Sequence, residues 1–118
     1  MDHFDHERLD VYQAAIDFVV LTDGVVENLP RGRTYLADQL QRAATFDSVE
    51  HCGGAGEYSP ADKARFYRMA KRSATECAAI LDVCRRLRLI DDPRCAAGRE
   101  LLLRIVSMLV ALVRTKKV

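Results

Sequence analysis

Four groups of residues have the types and spacing that chemistry requires. The first is "HCGGAGEYSP", residues 51–60, where three of the chain's six glycines crowd beside a histidine and a cysteine. A phosphate-cradling loop would need Gly-x-x-x-x-Gly-Lys-Ser/Thr after a strand. This stretch has no Lys-Ser/Thr pair and follows a helical pattern, so Gly53, Gly54 and Gly56 read as a corner between helices. The second group is His51-Cys52 together with His3, His6, Asp2 and Asp5. A structural zinc site takes four convergent ligands and a catalytic one three; nothing near His51-Cys52 completes a set, and His3 and His6 with Asp2 and Asp5, a slightly better cluster, read as solvated surface at an acidic chain end, so no metal is expected. The third group is the thiols Cys52, Cys77, Cys84 and Cys95. None is spaced as Cys-x-x-Cys, and no His or Arg pattern marks Cys77 or Cys84, two helical turns apart on one seam, as a nucleophile. Reduced thiols, mostly packed in a core, are expected. No carboxylate pair, Ser/His/Asp set or Glu-x-x-His bundle motif stands out, so the expectation is a protein that is not an enzyme and needs no cofactor.

The fourth group is cationic. Arg65, Arg68 and Arg72 fall at i, i+3 and i+7, the spacing of one helix face, with Lys71 beside them and Arg85 and Arg86 further along. The chain as a whole is near neutral, at +1. Its charges are nonetheless segregated: residues 2–28 hold seven acids and one base, and residues 62–88 hold eight bases and three acids. An ordinary solvated face is the plainest reading. Two sharper ones are a grip on RNA or DNA phosphates and a contact with the acidic segment of another copy of the chain. These six side chains are the candidate nucleic-acid or subunit contacts.

The elements that must carry these residues are helices. Leu9, Tyr12, Ile16 and Val19, widened by Ala15, Phe18 and Val20, recur at helical intervals, and Asn28-Leu29-Pro30-Arg31-Gly32 ends that helix. A second helix is expected from Thr34, as its N-cap, to about Cys52, with Leu36, Leu40, Ala43, Ala44 and Val49 inward. Ser59-Pro60-Ala61-Asp62 is a start signal: Ser59 caps, Pro60 occupies the first helical position and Asp62 faces the positive end of the dipole. The third helix then runs over about 60–89, with Phe66, Met69, Ala70, Ser73, Cys77, Ile80, Cys84 and Leu87 on one seam. Asp91-Asp92-Pro93 repeats the device with Asp92 as cap, and a fourth helix reaches about Val113 with Leu102, Ile105, Val106, Leu109, Leu112 and Val113 inward. No segment alternates with the period of a strand. The expected fold is all-α, a single domain over 1–118, arranged as an antiparallel up-down-up-down four-helix bundle. No apolar run is long enough for a membrane span, and the acidic N-terminus is unlike a targeting peptide, so a cytoplasmic location with no membrane partner is expected.

Three stretches, "FDHERLDVYQAAIDFV", "LPRGRTYLADQLQRAAT" and "GAGEYSPADKARFYRMAKRSATECAAILDVCRRLRLI", resemble the four-helix-bundle family encoded in intervening sequences of bacterial 23S ribosomal RNA genes. The resemblance covers nearly the whole chain. Its most specific part is Gly54 to Ile90, where a glycine corner, Ser-Pro-x-Asp, Arg-Phe-x-x-x-Ala-x-x-Ser and a Glu follow in order. It implies a small cytoplasmic bundle that forms cyclic homo-oligomers, typically pentamers. A related branch, the accessory proteins of diversity-generating retroelements, pairs with a reverse transcriptase and binds nucleic acid through a basic surface. The expected role is therefore a non-enzymatic adaptor or scaffold in a nucleic-acid-linked process, with itself as partner and nucleic acid or a nucleic-acid enzyme as a further one. The alternative is direct RNA or DNA binding by the basic face of the third helix. Apolar side chains such as Val11, Phe18 and Tyr67 would supply the affinity between copies.

The resemblance breaks at "FDSVEHCGG", residues 46–54, where the family pattern reads Ser-Ile-Pro-Leu-Asn-Ile-Ala-Glu-Gly at the same length. One back-translation, TTC GAT TCC GTT GAA CAT TGC GGA GGG, gives the family's first eight residues when read from its second base. The hypothesis is a compensated frameshift over residues 46–53. Sequencing the coding DNA tests it; a shifted frame that does not encode the family pattern would sink it.

Overall fold

The structure is a computed structural model that describes the backbone of residues 3–50 and 60–114. Side chains are described within 10–44 and 61–111, apart from those of Asp62, Lys63 and Phe66. The Gly53–Gly56 corner, His51-Cys52 and the Ser59 cap lie outside the described residues, as do the side chains of His3, His6, Leu9, Val49, Leu112 and Val113. Of the segment 46–53, only the helical backbone as far as Glu50 is described.

Among the described residues four helices form the fold: α1 (His3–Glu27), α2 (Thr34–Glu50), α3 (Pro60–Arg86) and α4 (Asp92–Arg114), with a 3-10 turn over Arg31–Arg33 leading into α2. Among the described residues there is no strand. Each helix packs on two others in a closed cycle, α1 on α2, α2 on α3, α3 on α4 and α4 on α1. The all-α four-helix bundle read from the periodicity is the fold observed. Its body measures 49 × 22 × 19 Å.

The core stripe of α1 is Val11, Ala14, Ala15, Phe18, Thr22 and Val25, all buried. Ala15 and Phe18, expected on the flank of the stripe, are in it, and its centre lies one position away from the expected Tyr12, Ile16 and Val19. Tyr12, Ile16 and Val19 are half-buried flanks, and Val20 is 65% exposed. In consequence Val11 and Phe18 (0% exposed) are core residues and are not available to join copies of the chain. The sequence is apolar on more than one face here, so spacing alone could not choose between adjacent stripes. Thr22 is tolerated in the core because its hydroxyl donates to the Val19 carbonyl at 2.9 Å.

Two helix starts also differ from expectation. Thr34 has helical backbone angles and its hydroxyl donates to the Arg31 carbonyl at 2.9 Å, so it is not an N-cap. The helical path already begins after the extended Pro30. At α4 the cap is Asp91 and not Asp92. The Asp91 carboxylate accepts the Arg94 backbone N–H at 2.9 Å, and its carbonyl accepts the Cys95 N–H. Asp92 is thereby the first helical residue, where its charge still favours the dipole. By contrast, α3 does begin at Pro60.

The seam of α3 is Ala70, Cys77, Leu81 and Cys84, with Met69, Ser73 and Ile80 half-buried beside it. Leu87, placed on the seam by the sequence, is 41% exposed, and Leu81 is fully buried in its stead. Leu87 lies one residue past the end of α3, where the chain turns toward α4, so it leaves the seam. On α4, Leu102, Ile105 and Leu109 are inward as expected, joined by Cys95 and Gly98. Gly98 sits where α4 meets both neighbours: a Cβ there would lie 2.8 Å from Leu81 Cδ1 and 3.4 Å from Leu21 Cδ2.

Candidate subunit and phosphate contacts

The outward edge of α3 repeats at helical spacing as Arg65, Arg68, Arg72, Thr75, Ala79, Val83 and Arg86, all exposed. The six cations named from the sequence do not form one patch on it. Arg65, Arg68 and Arg72 make a ridge over the first half of the helix. Lys71 is turned a quarter-circle aside, with its ammonium 6.0 Å from the Tyr67 ring centroid, a cation–π distance. Arg85 and Arg86 lie about 20 Å further along the axis, past a stretch that carries Thr75, Glu76, Ala79 and Asp82. In that stretch Arg99 of α4 donates to both carboxylate oxygens of Asp82, at 3.0 and 3.1 Å. This fork ties α3 to α4 at an exposed site.

Arg85 and Arg86 belong instead to the corner between α3 and α4. There α3 ends in a Schellman motif. The Leu89 N–H donates to the Cys84 carbonyl at 2.8 Å and the Arg88 N–H to the Arg85 carbonyl at 2.9 Å. Arg88 holds the left-handed position with φ 63°, the one positive-φ residue among those described. Glycine is the usual occupant of that position. The turn folds Ile90 into the core and opens a shallow groove of about 710 Å³ lined by Arg85, Arg86, Arg88, Leu89, Asp91 and Arg94. Sequence reading missed Arg88 and Arg94. Helical periodicity stops at residue 86, and only the turn brings the two arginines to one groove.

On the diagonal corner of the bundle, α1 presents Asp10, Gln13, Asp17, Val20, Gly24 and Glu27 along its outer edge, with Asp23 exposed beside them. Among the described residues the backbones of α1 and α3 are not neighbours; each helix lies diagonally across the core from the other. The acidic edge and the basic ridge thus occupy opposite sides of the molecule, and each has an exposed valine in its row, Val20 and Val83.

The family described as 23S rRNA-intervening sequence protein matches residues 7–111. The chain belongs to that family. The match runs through all four helices and confirms the resemblance read from the sequence. No curated protein matches the chain.

Three of the four thiols of this family member are in the core. Cys77, Cys84 and Cys95 are buried, and none of the three is in a disulfide. Burial pushes the Cys84 thiol up, and the nearby Cys95 adds to the effect. A raised thiol keeps its proton at neutral pH and is a poor nucleophile. Among the described residues no group of three or more His, Cys, Asp or Glu could hold a metal ion. Among the same residues no helix is long and apolar enough to cross a membrane.

Proposed function

We propose that the protein is a non-enzymatic, cytoplasmic scaffold that assembles from copies of itself, with the α3 ridge of one copy meeting the α1 edge of the next, and serves a nucleic-acid-linked process. The observation that carries this reading is the diagonal placement of the acidic and basic edges. A bundle that kept them adjacent could neutralise them internally. On opposite corners they are complementary only between molecules. The connectors 28–33 and 87–91 are too short to return along a helix, at no more than about 3.6 Å per residue, which favours the up-down-up-down order.

Such a contact joins two different surfaces, so it propagates head to tail and closes into a ring when the rotation per copy divides the circle. Five is the copy number the family resemblance favours. Charge steers the encounter and fixes the register, and the exposed Val20 and Val83 supply apolar area that Val11 and Phe18 do not.

Light scattering and sedimentation of the wild-type chain test this reading. An oligomer that Arg65→Glu/Arg68→Glu/Arg72→Glu dissociates, with helical circular dichroism unchanged, is the expected result. Adding Asp10→Lys/Asp17→Lys should restore part of the assembly. A wild-type chain that stays monomeric at micromolar concentration overturns the proposal. The ridge would then be open to the direct RNA- or DNA-binding reading, which a steep loss of affinity with added salt identifies.

A further inference from the structure

The groove at the α3–α4 corner has no part in the proposed assembly, and its chemistry is distinctive. Four guanidiniums line it, from Arg85, Arg86, Arg88 and Arg94, against the carboxylates of Asp91 and Asp92. Among the described residues none of the four is ion-paired with a carboxylate. One of the two acids is already engaged, since Asp91 accepts the Arg94 backbone N–H. The corner therefore holds a surplus of positive charge in a concave site. Its volume of about 710 Å³ falls in the range of small-ligand pockets, roughly 300–1,000 Å³.

The backbone gives a second, independent indication. An arginine in the left-handed conformation is strained where glycine would not be. Strain of this kind clusters where a side chain is needed in place. Glycine at 88 would satisfy the Schellman turn better, yet it would remove the guanidinium that stands at the middle of the corner. Arg85 and Arg86 approach from the last turn of α3 and Arg94 from the first turn of α4, so the four forks reach the groove from two helices and the turn between them. Planar guanidiniums bind phosphate oxygens two at a time, and several of them at one site suit successive phosphates better than a single small anion.

We infer that the α3–α4 corner binds a ligand with consecutive phosphate groups, held by Arg85, Arg86, Arg88 and Arg94. The phosphates come either from a free polyphosphate such as that of a nucleotide or from an RNA backbone. All the lining residues belong to one copy, so the site does not depend on assembly, and a monomeric wild type would leave it intact.

The experiment uses the full chain with two probes: inorganic tripolyphosphate by titration calorimetry and a short labelled single-stranded RNA by fluorescence anisotropy. The decisive variant is Arg88→Gly, which removes a guanidinium while relieving the turn, so weaker binding cannot be blamed on a damaged fold. Arg94→Ala is the second variant and Arg104→Ala, on an exposed position of α4 away from the groove, the control. Wild type and Arg104→Ala should bind at least one probe alike. Arg88→Gly and Arg94→Ala should each bind it about tenfold more weakly, the loss of one charge-assisted contact. Tripolyphosphate binding without RNA binding identifies the free polyphosphate as the source. RNA binding that tripolyphosphate displaces only poorly identifies the backbone. A wild type that binds neither probe, or binding that Arg88→Gly and Arg94→Ala leave unchanged, overturns the inference.

Discussion

The α3 ridge and the α3–α4 corner are built from the same residue type on the same stretch of chain, yet they suit different partners. Arg65, Arg68 and Arg72 stand on the convex outer edge of a helix, pointing outward in a row. Such a row meets an extended surface and contributes through long-range attraction and register. At the corner the chain reverses, and Arg85, Arg86, Arg88 and Arg94 line one concavity. That arrangement suits a compact ligand with several charged oxygens. The difference teaches that the number of arginines on a face says little until the curvature of the backbone beneath them is known.

The strongest way to break the comparison is to reverse charge at each place. Glu at 65, 68 and 72 should weaken assembly by at least about 100-fold, since like charges facing across an interface cost several kcal/mol. Arg94→Glu should leave the sedimentation coefficient of the oligomer unchanged. If instead Arg94→Glu dissociates it, the corner belongs to the interface and the two regions are one.

A smaller effect tests how the corner is held. Asp91→Ala should lower stability by about 1 kcal/mol through loss of the cap on the Arg94 N–H, read as a lower urea midpoint. Asp92→Ala should cost less, because it removes only a charge near the helix start. Equal losses would mean that Asp91 is not the cap. Of opposite sign, Arg88→Gly should raise the midpoint by up to about 1 kcal/mol, since glycine meets φ 63° without a Cβ. A fall in stability would show that the Arg88 side chain contributes more to the fold than its backbone costs.

The smallest effect lies between the two regions. The Arg99–Asp82 fork is about half exposed on both sides, and solvent screens such pairs. A double-mutant cycle with Arg99→Ala and Asp82→Ala should give a coupling of roughly 0.2–1 kcal/mol. A larger coupling would mark this fork as a structural divide between ridge and corner rather than a surface contact.

Much of the fold was legible in the sequence because helices announce themselves locally. Pro30 and Pro60 mark helix boundaries through the missing N–H and fixed φ of proline, and α1 and α3 stop and start there. Leu36, Leu40, Leu102, Ile105 and Leu109 are buried as their spacing required. Less legible was the choice among apolar stripes. Val11 and Phe18 look as fit for a rim as for a core until three other helices fix which side of α1 faces inward. The candidate site was legible only in part. Arg65, Arg68 and Arg72 share a face by helical spacing alone, whereas the exclusion of Arg85 and Arg86 from that face, and the inclusion of Arg88 and Arg94 with them, follow from a turn.

By itself the sequence determined the number of helices, most of their ends, the segregation of acid from base and the family. These depend on 3.6-residue periodicity, on proline and capping chemistry and on charge counts, all of which act within a few residues along the chain. Tertiary structure alone decided that α1 and α3 stand on opposite corners. It also decided that Leu81 rather than Leu87 fills the seam, and that one arginine accepts a left-handed backbone so that Ile90 can enter the core. Those outcomes depend on which surfaces exclude water together. Apolar burial is non-directional, so the local pattern restricts the choices, and the mutual fit of four helices selects among them.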